Sequence, residues 1–207
     1  MSASRLWLSL ASGAPGLGGP YLIETLAAYE ELDAVGHEKP QFLVAIGQAT
    51  KRQVLTKSFP VLSGRGQSGA ITLSTLGSPL TFLIDCELHA SRDAPRIQGG
   101  PIKGDYARHE MRCAANSQKE VAYSLYHQLL APFSTVVLVF VEDFSSTSEV
   151  TDLLIDWLGS AMDKNPPYSP KIVLVTEAGA PLHLRDFLSR LVARTLSLLR
   201  LSDPLRA

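Results

Sequence analysis

Two rhythms of apolar and polar positions alternate along the chain: short runs rich in β-branched residues, and longer stretches with helical spacing. Arg5 to Leu10 (RLWLSL) predicts a strand, and the loop ASGAPGLGGP follows it. Tyr21 to Val35 predicts a helix, with Pro20 placed to open it and Gly36 to close it. Phe42 to Ile46 (FLVAI) predicts a strand and Lys51 to Lys57 a basic helical piece. Ala70 to Thr75 and Leu80 to Asp85 predict two more strands, and the Gly/Pro/Arg-rich stretch from Ser91 to Ala107 a loop.

The second half has clearer signals. Ser117 and Glu120 form a capping box before a helix that runs to Leu130, and Pro132 prevents its extension. Thr135 to Val141 is a continuous apolar run of the kind buried on both faces of a sheet. Ser146 and Glu149 form a second capping box, after which Val150, Leu153, Leu154, Trp157 and Leu158 share one helical face up to Pro166, Pro167 and Pro170. Lys171 to Thr176 (KIVLVT) predicts another buried strand, and Pro181 to Leu201 a last helix with Leu184, Phe187, Leu188, Leu191, Val192, Leu198 and Leu199 on its stripe. Strands alternating with helices predict an α/β fold: a doubly wound, mostly parallel sheet with helices on both faces, P-loop NTPase-like in outline. Thr135 to Val141 and Lys171 to Thr176 are expected as adjacent, parallel, central strands joined by the helix between them.

At 207 residues, 45% hydrophobic, the chain can bury one full core, so a single domain over 1–207 is expected. A formal net charge of -1 argues against a nucleic-acid binder, whose affinity comes from neutralised phosphates. Two cysteines, Cys86 and Cys113, do not build a disulfide framework, which favours a reducing, cytoplasmic setting. No apolar run approaches the roughly 20 residues of a bilayer span.

In a doubly wound sheet, ligands bind beyond the carboxyl ends of the strands. Gly13 and Gly18 have the glycine spacing of a phosphate loop, but Gly19 and Pro20 stand where that motif needs Lys and Ser or Thr. A tight structural turn is the better reading of these glycines, with weak anion binding through their backbone N–H groups the alternative. Thr50, Lys51 and Arg52 follow the FLVAI strand in a stretch with no acid between Lys39 and Ile84, which could attract an anion or form a solvated cationic face. Asp85 ends the run LTFLID, as the carboxylate of a Walker B strand does when it organises magnesium. The guanine-reading N-K-x-D pattern is absent at Thr176 to Gly179. Cys86-x-x-His89 and His109-x-x-x-Cys113 have the ligand types of a zinc site, against the plainer reading of buried cysteine and surface histidine. No G-x-S-x-G elbow exists, and Gly66-Gln67-Ser68-Gly69 has the wrong spacing for one.

The strings GAITL (Gly69 to Leu73), FLIDCELH (Phe82 to His89), LYHQLLAPFSTVVLVFVEDF (Leu125 to Phe144) and KIVLVTE (Lys171 to Glu177) resemble the non-catalytic N-terminal region of large fungal patatin-like phospholipase proteins. The resemblance spans about residues 40 to 190 and implies a degenerate P-loop or GTPase-like module that accompanies a lipid hydrolase domain. It also implies that this chain is the accessory module without the enzyme, whether as a natural short protein or as a truncated reading of a longer one. The expected function is then regulation or interaction through a protein partner or tethered enzymatic domain, with no catalytic residue and no metal or other cofactor. An active nucleotide-dependent enzyme, in which Lys51 replaces the motif lysine and Asp85 positions magnesium, is the alternative. A further one reads Gly13 to Pro20, the following helix and Gly36-His37-Glu38 as similar to the start of a nucleotide-sugar glycosyltransferase.

Overall fold

The computed structural model describes residues 5–11, 21–33, 39–59, 70–76, 80–88, 105–111, 118–164, 170–177 and 187–193. Its centre is one eight-stranded sheet: β1 (Arg5–Ala11), β2 (Tyr21–Thr25), β3 (Gln41–Gly47), β4 (Ala70–Thr75), β5 (Thr81–Glu87), β6 (Tyr106–Glu110), β7 (Val136–Phe140) and β8 (Lys171–Val175), in the order β6-β2-β1-β4-β5-β3-β7-β8. The helices are α1 (Glu30–Asp33), α2 (Ala49–Ser58), α3 (Gln118–Leu125) and α4 (Thr147–Lys164), with a further helical segment at 187–193.

The fold is α/β, but the expectation of a mostly parallel sheet is corrected. β3 pairs in parallel with β5 and β7, and β7 with β8, whereas β4–β5, β1–β4, β1–β2 and β2–β6 are antiparallel. The parallel block reads as expected because its strands are near-continuous apolar runs. Val44, Ala45 and Ile46 of β3, Phe82, Leu83 and Ile84 of β5 and Val137 and Val139 of β7 are all buried. Period-two alternation divides these residues between two cores. Val44, Ile46, Ile84, Cys86, Val137 and Val139 pack with Val121 and Tyr126 and with Val150, Leu153 and Trp157 of α4. Ala45, Leu83 and Phe140 pack with Leu55 of α2 on the opposite face. Helices therefore cover both faces of the parallel block, with α2 alone on one side among the described residues.

Two elements differ from expectation. Tyr21–Thr25 is a strand, not the start of a helix; only a 3-10 turn at Leu26–Ala28 and the single turn of α1 remain helical. Tyr21, Ile23 and Thr25 favour strands, and ladders to β1 on one side and β6 on the other override the local signals of Pro20 and Gly36. Strand β6 begins within the expected loop. Its sequence, YARHE, has no apolar alternation because it lies at a sheet edge, where charged side chains discourage further pairing.

β7 and β8 are adjacent and parallel as expected, but β8 lies at the end of the sheet order rather than at its centre. Its Ile172 and Val173 are 37% and 43% exposed. An unbroken apolar run does not by itself separate a central strand from an edge.

The expected helix before β7 is present but not regular. After α3 it widens into a π-helical turn at Tyr126–Leu130 and tightens into a 3-10 turn at Ala131–Phe133, where Pro132 stops it. The capping box of α4 forms with a shift: Ser146 Oγ accepts from the Glu149 N–H at 3.3 Å, while the Glu149 carboxylate reaches back to the Ser145 N–H at 3.1 Å. Lys119 (2.5 Å) and the Tyr123 hydroxyl meet the same carboxylate and tie α3 to α4. Burial pushes Glu149 upward, yet the hydrogen bonds from Lys119, Ser145 and Tyr123 together hold it below the usual carboxylate range. Of the last expected helix, 187–193 is described, with Phe187 buried; Ser117 lies outside the described residues.

Candidate functional site

The carboxyl ends of the parallel strands lie level. Gly47 pairs with Glu87, Ile46 with Val139, and Phe140 with Val175. Three connections leave this edge close together: the entry to α2, the end of β5, and a 3-10 turn at Val141–Asp143.

Helix α2 has no side-chain cap of its own. Its N-cap residue is Gln48, and its first turn carries no acid. The cap comes from the far half of the sequence, because the Asp143 carboxylate accepts the N–H groups of Gln48 (2.6 Å), Thr50 (2.8 Å) and Lys51 (2.9 Å). These are the unpaired amides that make a helix start an anion site. Gly47 permits the approach: a Cβ there would sit 2.5 Å from Asp143 Oδ2, 2.8 Å from Lys51 Cβ and 3.0 Å from Phe140 Cβ.

The side chain of Lys51 points away from this cradle. Along β5 the two-residue period places Asp85 and Glu87 on the same face as Leu83, which packs in the α2-side core. Lys51 is 0% exposed between them. Its Nζ pairs with Asp85 Oδ1, lies 3.5 Å from Glu87 Oε1 and donates to the Cys86 carbonyl at 2.7 Å. Arg52 Nε lies 3.4 Å from Glu87 Oε1 and donates to the Gln48 carbonyl at 3.2 Å. Two cations and two carboxylates therefore neutralise each other beneath the helix. The last residues of β5 are held as well, since Gln48 Nε2 donates to the Leu88 carbonyl at 2.8 Å and the Tyr126 hydroxyl to that of Glu87 at 3.3 Å.

Burial pushes the Glu87 carboxyl above its ordinary range; Lys51 and Arg52 oppose this and Asp85 adds to it. A raised folded value means that the folded chain holds this proton more tightly than the unfolded chain does. The stabilisation is complete below the ordinary glutamate value of about 4.3 and is lost as pH rises through the raised one. Urea-denaturation midpoints should fall across that window in the wild type, and Glu87→Gln should flatten the fall. An unchanged pH profile in the variant would assign the dependence to another group.

Thr50, Lys51, Arg52 and Asp85 do come together. Thr50 contributes its amide to the cradle, and Lys51 and Asp85 bind each other. A solvated cationic face does not describe Lys51. Gly13 and Gly18 lie outside the described residues, as do His89, Cys113 and Ser68. Cys86 faces the core, where burial pushes its thiol well above the usual range. His109 sits on β6, separated from β5 by three strands, and pairs with Glu24 at 2.8 Å. The described members of the zinc reading do not converge. Two residues of this edge are not singled out by the sequence, Glu87 and Asp143. For Glu87 the signal was its position two residues after Asp85; for Asp143 it was a basic helix with no local cap and an acidic pair ending an apolar run.

These side chains do not fit a magnesium–nucleotide complex in this arrangement: the amides already hold a carboxylate, Lys51 faces acids, and Arg52 stands where a phosphate loop supplies a hydroxyl. Against protein-family models, curated proteins and solved structures, the chain has no match.

Proposed function

We propose that the chain is a non-catalytic, NTPase-like α/β module that works through regulation or protein contact. The observation that supports this reading is the occupied cradle at α2, where Asp143 sits on the three amides that a phosphate would use. The expected cation is occupied too, since Lys51 is buried against Asp85 and Glu87. An active nucleotide-dependent enzyme would have to break both arrangements. The glycosyltransferase reading loses its helix, because Tyr21–Thr25 is a strand. The likeness of residues 82–89 and 125–144 to the region that accompanies patatin-like hydrolases makes a tethered lipid hydrolase domain the kind of partner implied. Exposed apolar residues, among them Ile172 and Val173 of β8 and Leu188 and Val192 of the segment 187–193, offer contact surface. No helix among the described residues is long and apolar enough to cross a membrane.

Calorimetric titration of the wild-type chain with ATP, GTP, a nucleotide sugar and pyrophosphate, each with magnesium, tests the reading. The expected result is no saturable binding and no hydrolysis. Micromolar, magnesium-dependent binding with turnover would replace this reading with the enzyme.

A further inference from the structure

The turn that carries Asp143 has a second contact, on its other side. Glu142 Oε1 accepts the Glu177 N–H at 2.9 Å, just beyond the end of β8. β7 lies between β3 and β8, so two consecutive carboxylates reach in opposite directions across the sheet edge, one to the start of α2 and one to the end of β8. The backbone between them has little freedom. Val141 and Phe144 are both buried in the core, and the Phe144 N–H closes the turn on the Val141 carbonyl at 3.2 Å.

We propose that Val141–Asp143 is a two-sided coupler: releasing Asp143 from α2 loosens the end of β8, and releasing Glu142 from β8 loosens the start of α2. The turn is short and its flanking residues Val141 and Phe144 are fixed in the core, so a backbone shift at one acid is passed to the other. β8 is where the effect would be felt, because among the described residues this edge strand pairs only with β7. Whatever displaces Asp143 would then change how the exposed edge of β8 is presented to another chain. The inference rests on the reading that Asp143 closes the α2 cradle.

The test is amide hydrogen exchange, read by NMR on the full chain for wild type, Asp143→Ala, Glu142→Ala and the double variant. In Asp143→Ala, exchange should quicken at Gln48, Thr50 and Lys51 and, several-fold, at Val175 and Glu177. In Glu142→Ala, it should quicken at Val175 and Glu177 and, several-fold, at the three α2 amides. The double variant should show less than the product of the two single effects. Effects confined to each variant's own side would overturn the coupling. The protection of Val44 and Ala45 in β3 reports that the sheet is intact; should Asp143→Ala lose it, Glu142→Ala, which removes one exposed contact, decides alone. Saturable binding of pyrophosphate by the wild type would refute the closed cradle while leaving the exchange result to judge the coupling separately.

Discussion

Lys51→Met should lower the unfolding free energy by about 3–5 kcal/mol, the usual cost of removing one partner from a buried ion pair. The substitution keeps most of the side chain's volume but leaves Asp85 and Glu87 facing each other without the ammonium, and the Cys86 carbonyl without its donor. The size of the loss reflects stranded charge, not lost attraction, and this can be separated experimentally. Adding Asp85→Asn and Glu87→Gln to Lys51→Met should restore most of the stability, because no buried charge then remains and Arg52, which loses Glu87, is half-exposed and keeps its water. Chemical denaturation of the single and triple variants checks this. A loss below about 1 kcal/mol for Lys51→Met, the range of an exposed pair, would place the ammonium in solvent.

The second large effect concerns the sheet order. Val137 is 0% exposed in β7, between β3 and β8, and its register partner on β8 is Ile172. Val137→Asp buries a carboxylate with no partner and should cost more than about 4 kcal/mol, the exceptional end of single substitutions. Since a domain of ordinary stability has about 5–15 kcal/mol in total, this variant should be unfolded or close to it. Ile172→Asp, at the edge and 37% exposed, should cost far less. Equal melting temperatures for the two variants would contradict the placement of β7 inside and β8 outside.

Much of the parallel block was legible because buried central strands leave a local trace. FLVAI, LTFLID and TVVLVFV are apolar without alternation, and β3, β5 and β7 lie where those runs lie. The antiparallel half was less legible. Tyr21–Thr25 carries helix punctuation at Pro20 and Gly36, and only its two ladders decide for a strand; β6 has no apolar pattern to read. At the site, Thr50, Lys51, Arg52 and Asp85 could be picked out because each follows or ends a recognisable strand. The direction in which Lys51 points could not, since it depends on β5 and α2 facing each other. Asp143 is 95 residues from the amide of Gln48 that it binds, and no spacing rule connects them. The same residue types that suggested an anion site are used to build a closed one.

Asp143 fills the anion cradle at the start of α2. The pyrophosphate arm of the titration tests it most directly when read at the backbone amides of Gln48, Thr50 and Lys51 by NMR, in wild type and in Asp143→Ala. These three resonances are expected to stay in place in the wild type and to move together, saturably, in the variant, where three donors are released and one negative charge is gone. Saturable movement of the same three amides in the wild type, or no movement in a folded Asp143→Ala, would contradict it.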